Sequence, residues 1–207
     1  MASHTGSLAG SHLVYDGAFR QAGIVRAQNM EELIDFAVAF TCPYRPAGDR
    51  VGIIVEAGGG AVAAADTCES LGLEVSPLPG EVQNELRDYL AEIKAPSYVV
   101  ANPVDLVWPP FSEYSRILPR CLEIMARAVD ALIAVTYYPL TDELYAQRMR
   151  DLMERVEKPL FVVVPYPTRQ GEGLSLYTQK GMPAFPTVER AVKALARLVE
   201  HRKRSES

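Results

Sequence analysis

From residue 50 to the end of the chain, short apolar runs alternate with longer amphipathic stretches. The first run, from Val51 to Val55, has no polar side chain, as is typical of a parallel strand buried on both faces. The spacing predicts strands over residues 51–55, 73–77, 131–137, 159–164 and 182–185. It predicts helices over residues 61–71, 81–93, 112–127, 141–156, 170–180 and 187–202. This alternation predicts an α/β fold with a flavodoxin-like, doubly wound parallel sheet of about five strands in the order 2-1-3-4-5.

The chain before residue 50 has a different pattern. It predicts a helix over residues 11–22, a short strand from Gly23 to Arg26 and a second helix over residues 30–40, which Asn29 caps. Two helices and one short strand contain too little apolar surface to form a core alone. We therefore expect this segment to pack on the rest of the chain or on a second copy. Thr141 and Thr187 are the predicted N-caps of two later helices.

Composition narrows the class of function. The chain has 207 residues, of which 48% are apolar and 23% charged, and its formal net charge is −5. This charge gives no general attraction to nucleic acid or to an anionic membrane, so we expect neither as a partner. The spacing of the three cysteines favours neither a disulfide framework nor a metal pair. With no signal-like or membrane-spanning apolar segment in the sequence, we expect a cytoplasmic protein. The cysteines are Cys42, Cys68 and Cys121.

Two loops after predicted strands carry candidate binding groups. Gly58, Gly59 and Gly60 follow the first strand, and backbone N–H groups at such a turn can hold a phosphate or a carboxylate. Tight packing of the next helix on the sheet explains the same glycines. Asn102 and Asp105 flank a proline in a second turn, where they either face a substrate or only stabilise the turn. Ligands of open α/β sheets bind beyond the carboxyl ends of the strands, so we expect these groups to converge there.

Further candidates come from single residues. His4 lies among small residues, where an imidazole could act as a nucleophile toward phosphorus or could be an exposed side chain without a role. Tyr137 and Tyr138 end the third predicted strand, and Tyr166 and Arg169 follow the fourth, where the arginine could bind an anion or lie on the surface. Trp108 could form an apolar rim or a core anchor. The sequence contains no Walker loop, no HExxH motif and no Ser-His-Asp order.

Five strings stand in order along the chain with sensible spacing. They are Ser3-His4-Thr5-Gly6-Ser7-Leu8-Ala9-Gly10, Ala18-Phe19-Arg20-Gln21-Ala22-Gly23-Ile24-Val25-Arg26, Arg50-Val51-Gly52-Ile53-Ile54-Val55-Glu56-Ala57-Gly58-Gly59, Asn102-Pro103-Val104-Asp105-Leu106 and Pro186-Thr187-Val188-Glu189-Arg190-Ala191-Val192. Together they resemble the carboxy-terminal part of the NDP-forming acyl-CoA synthetases, relatives of succinyl-CoA synthetase that include the ADP-forming acetate–CoA ligases. The first string resembles the phosphohistidine loop of that family, and the fourth resembles its NPxDL motif.

The resemblance implies a domain plan and a reaction. Residues 1–41 would be the end of a second succinyl-CoA synthetase-like domain, residues 42–49 a linker, and residues 50–207 a flavodoxin-like CoA-ligase domain. The family converts acyl-CoA, ADP and phosphate to carboxylate, CoA and ATP. His4 would carry the phosphoryl group, and Gly58 to Gly60 would provide a helix start that steadies it. Glu56 stands where the family often has Asn, and a carboxylate there would repel phosphate.

The resemblance also implies partners. The parts that bind CoA, ADP or ATP, and Mg²⁺ in this family, the CoA-binding and ATP-grasp domains, do not correspond to any segment of this chain. We therefore expect a component or fragment that is inactive alone and works with those domains or subunits, or that forms a homo-oligomer. One alternative is a non-catalytic binding or assembly domain derived from such an enzyme. Another is an unrelated flavodoxin-like protein that binds a small molecule.

Overall fold

The computed structural model describes residues 12–96, 98–107, 114–137, 142–165 and 170–205. Within these ranges the chain forms eight helices and five strands. The helices are α1 His12–Gln21, α2 Met30–Phe40, α3 Gly58–Ser70, α4 Gly80–Glu92, α5 Tyr114–Met125, α6 Glu143–Val156, α7 Gln170–Gln179 and α8 Val188–Ser205. The strands are β1 Val51–Val55, β2 Val104–Asp105, β3 Ala131–Val135, β4 Leu160–Val163 and β5 Ala184–Phe185.

All five strands are parallel and form one sheet in the order β2-β1-β3-β4-β5. The predicted flavodoxin-like α/β architecture is confirmed. Every residue of β1, β3 and β4 is buried, because helices cover both faces of the sheet. Helix α8 contributes a long apolar face to this core and packs on β3, β4 and β5.

The second strand is not the predicted one. Residues 73–77 pair with the edge of β1 only through a single parallel bridge between Arg50 and Glu74. The edge strand is instead β2, where Val104 lies opposite Ile54 and Asp105 opposite Val55. The sequence predicts a turn for these residues, because a strand of two residues has no alternating pattern to detect.

Several helix boundaries differ from the prediction. Helix α3 begins at Gly58, three residues earlier than predicted, so the glycines form its first turn and do not precede it. The N-cap of α6 is Asp142, whose carboxylate accepts a hydrogen bond from the backbone N–H of Tyr145 at 3.0 Å. The predicted cap of that helix, Thr141, lies outside the described residues. The cap predicted at Thr187 is present, since its hydroxyl accepts from the backbone N–H of Arg190.

The segment before residue 50 contains α1 and α2 but, in its described part, no strand. Gly23 ends α1 with a φ of +68°, and the N–H of Ile24 donates to the carbonyl of Phe19 at 2.8 Å. Because this hydrogen bond belongs to the helix end, the predicted strand from Gly23 to Arg26 is wrong. Asn29 caps α2 as predicted, with its side-chain oxygen accepting from the backbone N–H of Glu32. Helix α2 packs on α8 of the same chain.

None of the helices in the described ranges is both long enough and apolar enough to cross a membrane.

Candidate functional site

The glycine turn lies at the carboxyl end of β1. Ala57 precedes α3 in an extended conformation, and no side chain in the described part of the chain caps this helix start. Within the first turn the N–H of Gly60 donates to the carbonyl of Ala57 at 3.0 Å. Gly58 and Gly59 are exposed to solvent, and a Cβ atom at Gly59 would meet no other atom within 4 Å. The first amides of a helix have no intrahelical acceptor, so this turn has the geometry to contact an anion.

Asp105 lies beside this helix start. It ends β2, next to the last residue of β1, and its Oδ1 accepts a hydrogen bond from the N–H of Val107 at 2.9 Å. A Cβ atom built on Gly58 would be 3.1 Å from Asp105 Oδ2. The structure therefore brings Gly58 and Asp105 together, as the sequence predicts. A carboxylate is favourable at a helix start, but it also competes with any second anion there.

Asn102 occupies a different place. Its Oδ1 accepts from the N–H of Ile53 at 3.0 Å, and its Nδ2 donates to the carbonyls of Val51 at 2.8 Å and Ser76 at 3.1 Å. Val51 and Ile53 are the first and third residues of β1, so the contacts with them lie roughly 7 to 13 Å from the end of that strand at about 3.3 Å per residue. Asn102 therefore joins the beginning of β1 to two neighbouring segments, and its amide does not face the glycine turn.

Glu56, between β1 and the glycine turn, is fully buried. Its Oε2 accepts a hydrogen bond from the N–H of Tyr137 at 2.8 Å, which ties the end of β1 to the residue after β3. Two buried tyrosines, Tyr145 of α6 and Tyr177 of α7, lie within the influence of its charge. Burial is the largest cause that raises the pKa of both hydroxyls well above the ordinary value, and the charge of the Glu56 carboxylate is a further cause. Glu56 thus points its carboxylate into the protein under the site.

No sequence pattern indicates this buried polar cluster of Glu56, Tyr145 and Tyr177. Tyr145 and Tyr177 lie on the buried faces of their helices, where tyrosine resembles an ordinary core residue. Their proximity to Glu56 depends on the packing of α6 and α7 over the sheet, which periodicity cannot reveal. The remaining predicted candidates lie outside the described residues. These are His4, Trp108, Tyr138, Tyr166 and Arg169.

A groove of about 650 Å³ lies elsewhere, between α1 and α8. Arg26 pairs there with Asp16, and both Arg197 and Arg204 pair with Glu200. The lining also contains Arg20, so two carboxylates face four arginines and the groove keeps a net positive charge. Among the described residues, no group of three or more His, Cys, Asp or Glu side chains is arranged to hold a metal ion.

Comparison with known proteins gives consistent relatives along the whole chain. A family model described as "Succinyl-CoA ligase like flavodoxin domain" matches residues 1–40. The α subunit of acetate–CoA ligase (ADP-forming) II from Pyrococcus furiosus is 33% identical over 98% of this chain. The α subunit of acetate–CoA ligase (ADP-forming) I from the same organism is 36% identical over 95% of this chain. Those alignments cover 44% and 42% of the two relatives, so the chain spans less than half of their length.

A solved structure agrees with the curated relatives. The dinucleotide-forming acetyl-coenzyme A synthetase 1 of Ca. Korarchaeum cryptofilum, in complex with phosphate and ADP, superposes with a TM-score of 0.83 at 27% identity. The match covers 99% of this chain and 44% of that one. PH0766 from Pyrococcus horikoshii OT3 superposes with a TM-score of 0.80 at 29% identity.

Proposed function

Since this chain belongs to the family of the ADP-forming acetate–CoA ligases, we propose that it is the phosphoryl-carrying component of an NDP-forming acyl-CoA synthetase. The complete enzyme would convert acyl-CoA, ADP and phosphate to carboxylate, CoA and ATP. CoA-binding and ATP-grasp parts, in the same polypeptide or in partner subunits, would bind CoA, the nucleotide and Mg²⁺. The three cysteines are free thiols in the structure. Free thiols are typical of a reducing compartment, which supports the proposal of a cytoplasmic protein.

We propose that His4 carries the phosphoryl group. A ring nitrogen attacks the phosphorus of an acyl phosphate, the bond from phosphorus to the acyl oxygen breaks, and the carboxylate leaves. A β-phosphate oxygen of ADP then attacks the phosphohistidine, the N–P bond breaks, and ATP forms. Both steps gain most from positioning and from groups that stabilise the charge of the phosphoryl oxygens.

The open start of α3 is the observation that carries this proposal. Gly58 and Gly59 are exposed beyond the carboxyl end of β1, and no side chain among the described residues caps this helix start. The N–H groups of this turn would donate hydrogen bonds to the phosphoryl oxygens, and the helix dipole would stabilise the negative charge of those oxygens. Ligands of open α/β sheets bind at this edge, which agrees with the placement.

One observation favours the second candidate, a non-catalytic binding or assembly domain. The same helix start is bordered by Asp105 next to Gly58 and by the buried Glu56 two residues earlier. The two carboxylates weaken the attraction of the turn for a phosphoryl group. A domain that binds no phosphoryl group would tolerate this loss of attraction. The third hypothesis, an unrelated flavodoxin-like binder, is wrong, because the chain is homologous to acetate–CoA ligase subunits along nearly all its length.

The test phosphorylates the full chain chemically, so that it needs no partner domain. Phosphoramidate transfers its phosphoryl group to imidazole nitrogens and releases ammonia, and the label on histidine is acid-labile and alkali-stable. The chain contains two other histidines, His12 and His201, which serve as matched controls. We expect the phosphoryl group on His4 to hydrolyse several-fold more slowly than that on either control, because the α3 amides shield it.

The variants distinguish the two candidates. His4→Ala should remove the long-lived label, whereas His12→Ala and His201→Ala should retain it. Gly59→Glu should shorten the lifetime, because it adds a third carboxylate at the helix start. If the label on His4 decays as fast as the labels on the control histidines, the proposal of phosphoryl carriage is wrong and the non-catalytic candidate stands.

A further inference from the structure

Helix α2 has apolar residues on two faces, and only one of these faces is covered in the described part of the chain. The helix packs on α8, and its inner face contains the buried residues Phe36 and Ala39. Its outer face is exposed and has four apolar residues spaced as one helical stripe, which we call the α2 stripe. These residues are Met30, Leu33, Ile34 and Ala37. A helix with apolar residues around most of its circumference is normally buried on all sides, so the α2 stripe indicates a further layer that covers it.

The charged residues of α2 are paired on its other side, with α8. The guanidinium of Arg190 donates to both carboxylate oxygens of Asp35 at 2.7 Å and also pairs with Glu31. One turn along α8, Lys193 pairs with Glu32. These three acidic residues are all the charged residues that the sequence of α2 contains. Because α8 provides their partners, a surface that covers the α2 stripe meets apolar side chains and needs no charge of its own.

Helix α1 also has apolar side chains in contact with solvent. Leu13 and Val14 are 78% and 69% exposed. Among the described elements, no other helix or strand packs extensively along α1. Large apolar patches are uncommon on the surface of a monomer, and two successive helices with uncovered apolar faces therefore indicate an interaction surface.

A parallel sheet is the layer that fits these two helices. The family model that matches residues 1–40 describes a flavodoxin domain, yet the described part of this segment contains two helices and no strand. Helices of such domains bury their apolar stripes on the faces of a parallel sheet. In the described ranges, α2 packs on α8 and extensively along no strand. More than half the length of the two Pyrococcus furiosus α subunits lies outside their match with this chain, which leaves room for another sheet.

We propose that the α2 stripe binds the apolar face of a parallel sheet in a flavodoxin-like domain outside this sequence. Helix α2 would then lie between that sheet and α8, and it would join the two domains. The complementary face of the sheet would consist of aliphatic and β-branched residues without charge. This inference goes beyond the proposed function, because it holds whether or not the chain carries a phosphoryl group.

The experiment takes the sheet from a relative. In a chimera, the full chain replaces the matched part of the Pyrococcus furiosus acetate–CoA ligase (ADP-forming) II α subunit. Hydrogen exchange of the α2 amides is measured by mass spectrometry in the chimera and in the free chain. We expect exchange in α2 to be about tenfold slower in the chimera, because burial of a single leucine is enough to shift an equilibrium by about that factor.

Two matched variants test the stripe itself. Leu33→Lys places a charge in the α2 stripe, and Leu144→Lys places the same charge on α6, at a leucine of similar exposure (53% and 57%). Leu and Lys have similar helix propensities, so both variants of the free chain should fold and exchange like the wild type. In the chimera, Leu33→Lys should return exchange in α2 to the rate of the free chain, whereas Leu144→Lys should leave the protection intact.

Three results would overturn the proposal. Equal exchange in the chimera and in the free chain would show that no layer covers α2. Protection that survives Leu33→Lys would show that a surface other than the stripe is responsible. A free chain that forms a dimer in light scattering, which Leu33→Lys dissociates, would show that a second copy covers the stripe.

A second chimera keeps the test decisive. If the first does not unfold cooperatively, the Pyrococcus furiosus I α subunit supplies the sheet in its place. Failure of both chimeras to fold also overturns the proposal, because neither sheet then accepts α2. None of these readouts uses a histidine label, so a negative result here leaves the proposed function to its own test.

Discussion

Replacing Asn102 with alanine tests whether the side chain of this residue stabilises the fold through its hydrogen bonds to the backbone or binds a ligand. The substitution removes all three side-chain hydrogen bonds to the backbone at Val51, Ile53 and Ser76. Val51 and Ile53 are buried in β1, so the carbonyl of the first and the N–H of the second lose their partners away from water. Ser76 is more exposed, and water can replace its lost hydrogen bond.

The expected magnitude follows from these two buried groups. A buried backbone group without a partner costs about 1–3 kcal/mol, so the loss of two partners in Asn102→Ala should lower the free energy of unfolding by about 2–6 kcal/mol. With a urea dependence of about 2–3 kcal/mol/M, the midpoint of unfolding should fall by roughly 1–3 M. Asn102→Asp should cost at least as much, because a carboxylate would replace the amide that donates to two carbonyls.

The assay is urea unfolding followed by circular dichroism, with Asn84→Ala as the matched control. Asn84 is exposed on α4 and accepts a single hydrogen bond from Arg87, so its loss should change stability by less than about 0.5 kcal/mol. A change of that small size in Asn102→Ala would refute the structural role derived from the hydrogen bonds. If the same variant also lost phosphate or substrate binding, Asn102 would be a ligand-side residue.

Three shorter predictions follow from burial and charge. Gly52→Ala should lower stability by about 1–3 kcal/mol in thermal unfolding, because its Cβ would lie 3.0 Å from Val129 Cγ2, whereas Gly17→Ala meets open space and should not destabilise. Burial opposes ionisation of Asp130, but hydrogen bonds from Arg50 outweigh it and lower its pKa below 3.8, so its stabilisation is present above about pH 4 and lost in stronger acid. Asp130→Asn should therefore flatten the fall in unfolding free energy between about pH 4 and pH 2; an unchanged slope would contradict this. Burial raises the pKa of the Cys68 and Cys121 thiols to about 12 and that of the Cys42 thiol above its ordinary value. At neutral pH, maleimide should therefore label no thiol in the native chain and all three thiols in urea, as mass spectrometry would show.

The parts of the fold that follow local rules could be predicted from the sequence. The continuous apolar runs of β1, β3 and β4 identify the buried strands, and the amphipathic stretches between them identify the crossover helices. Asn29 could be identified as an N-cap because its chemistry needs only the next three residues. The strand order follows from right-handed, short connections between parallel strands.

The failures share a dependence on distant residues. β2 has only two residues and becomes a strand because Val104 and Asp105 meet the end of β1, about fifty residues earlier. Asn102 resembles a turn residue until the backbone of β1 provides its partners. The approach of Asp105 to Gly58 could be predicted, because the general rule for strand ends applies to both, whereas the distant position of Asn102 could not.

Both edge strands of the sheet are only two residues long, which disfavours extension of the sheet by another polypeptide. At one edge, β2 has only two residues. Toward the start of β1, the side-chain amide of Asn102 already forms hydrogen bonds with the N–H of Ile53 and the carbonyl of Val51. At the other, β5 is also only two residues long. A strand of another chain pairs with a sheet edge that has a long row of unpaired N–H and C=O groups. Among the described residues, neither the β2 edge nor the β5 edge has such a row. The proposed contacts with other domains of an enzyme would therefore be made through the helices, while the short sheet edges resist cross-β aggregation.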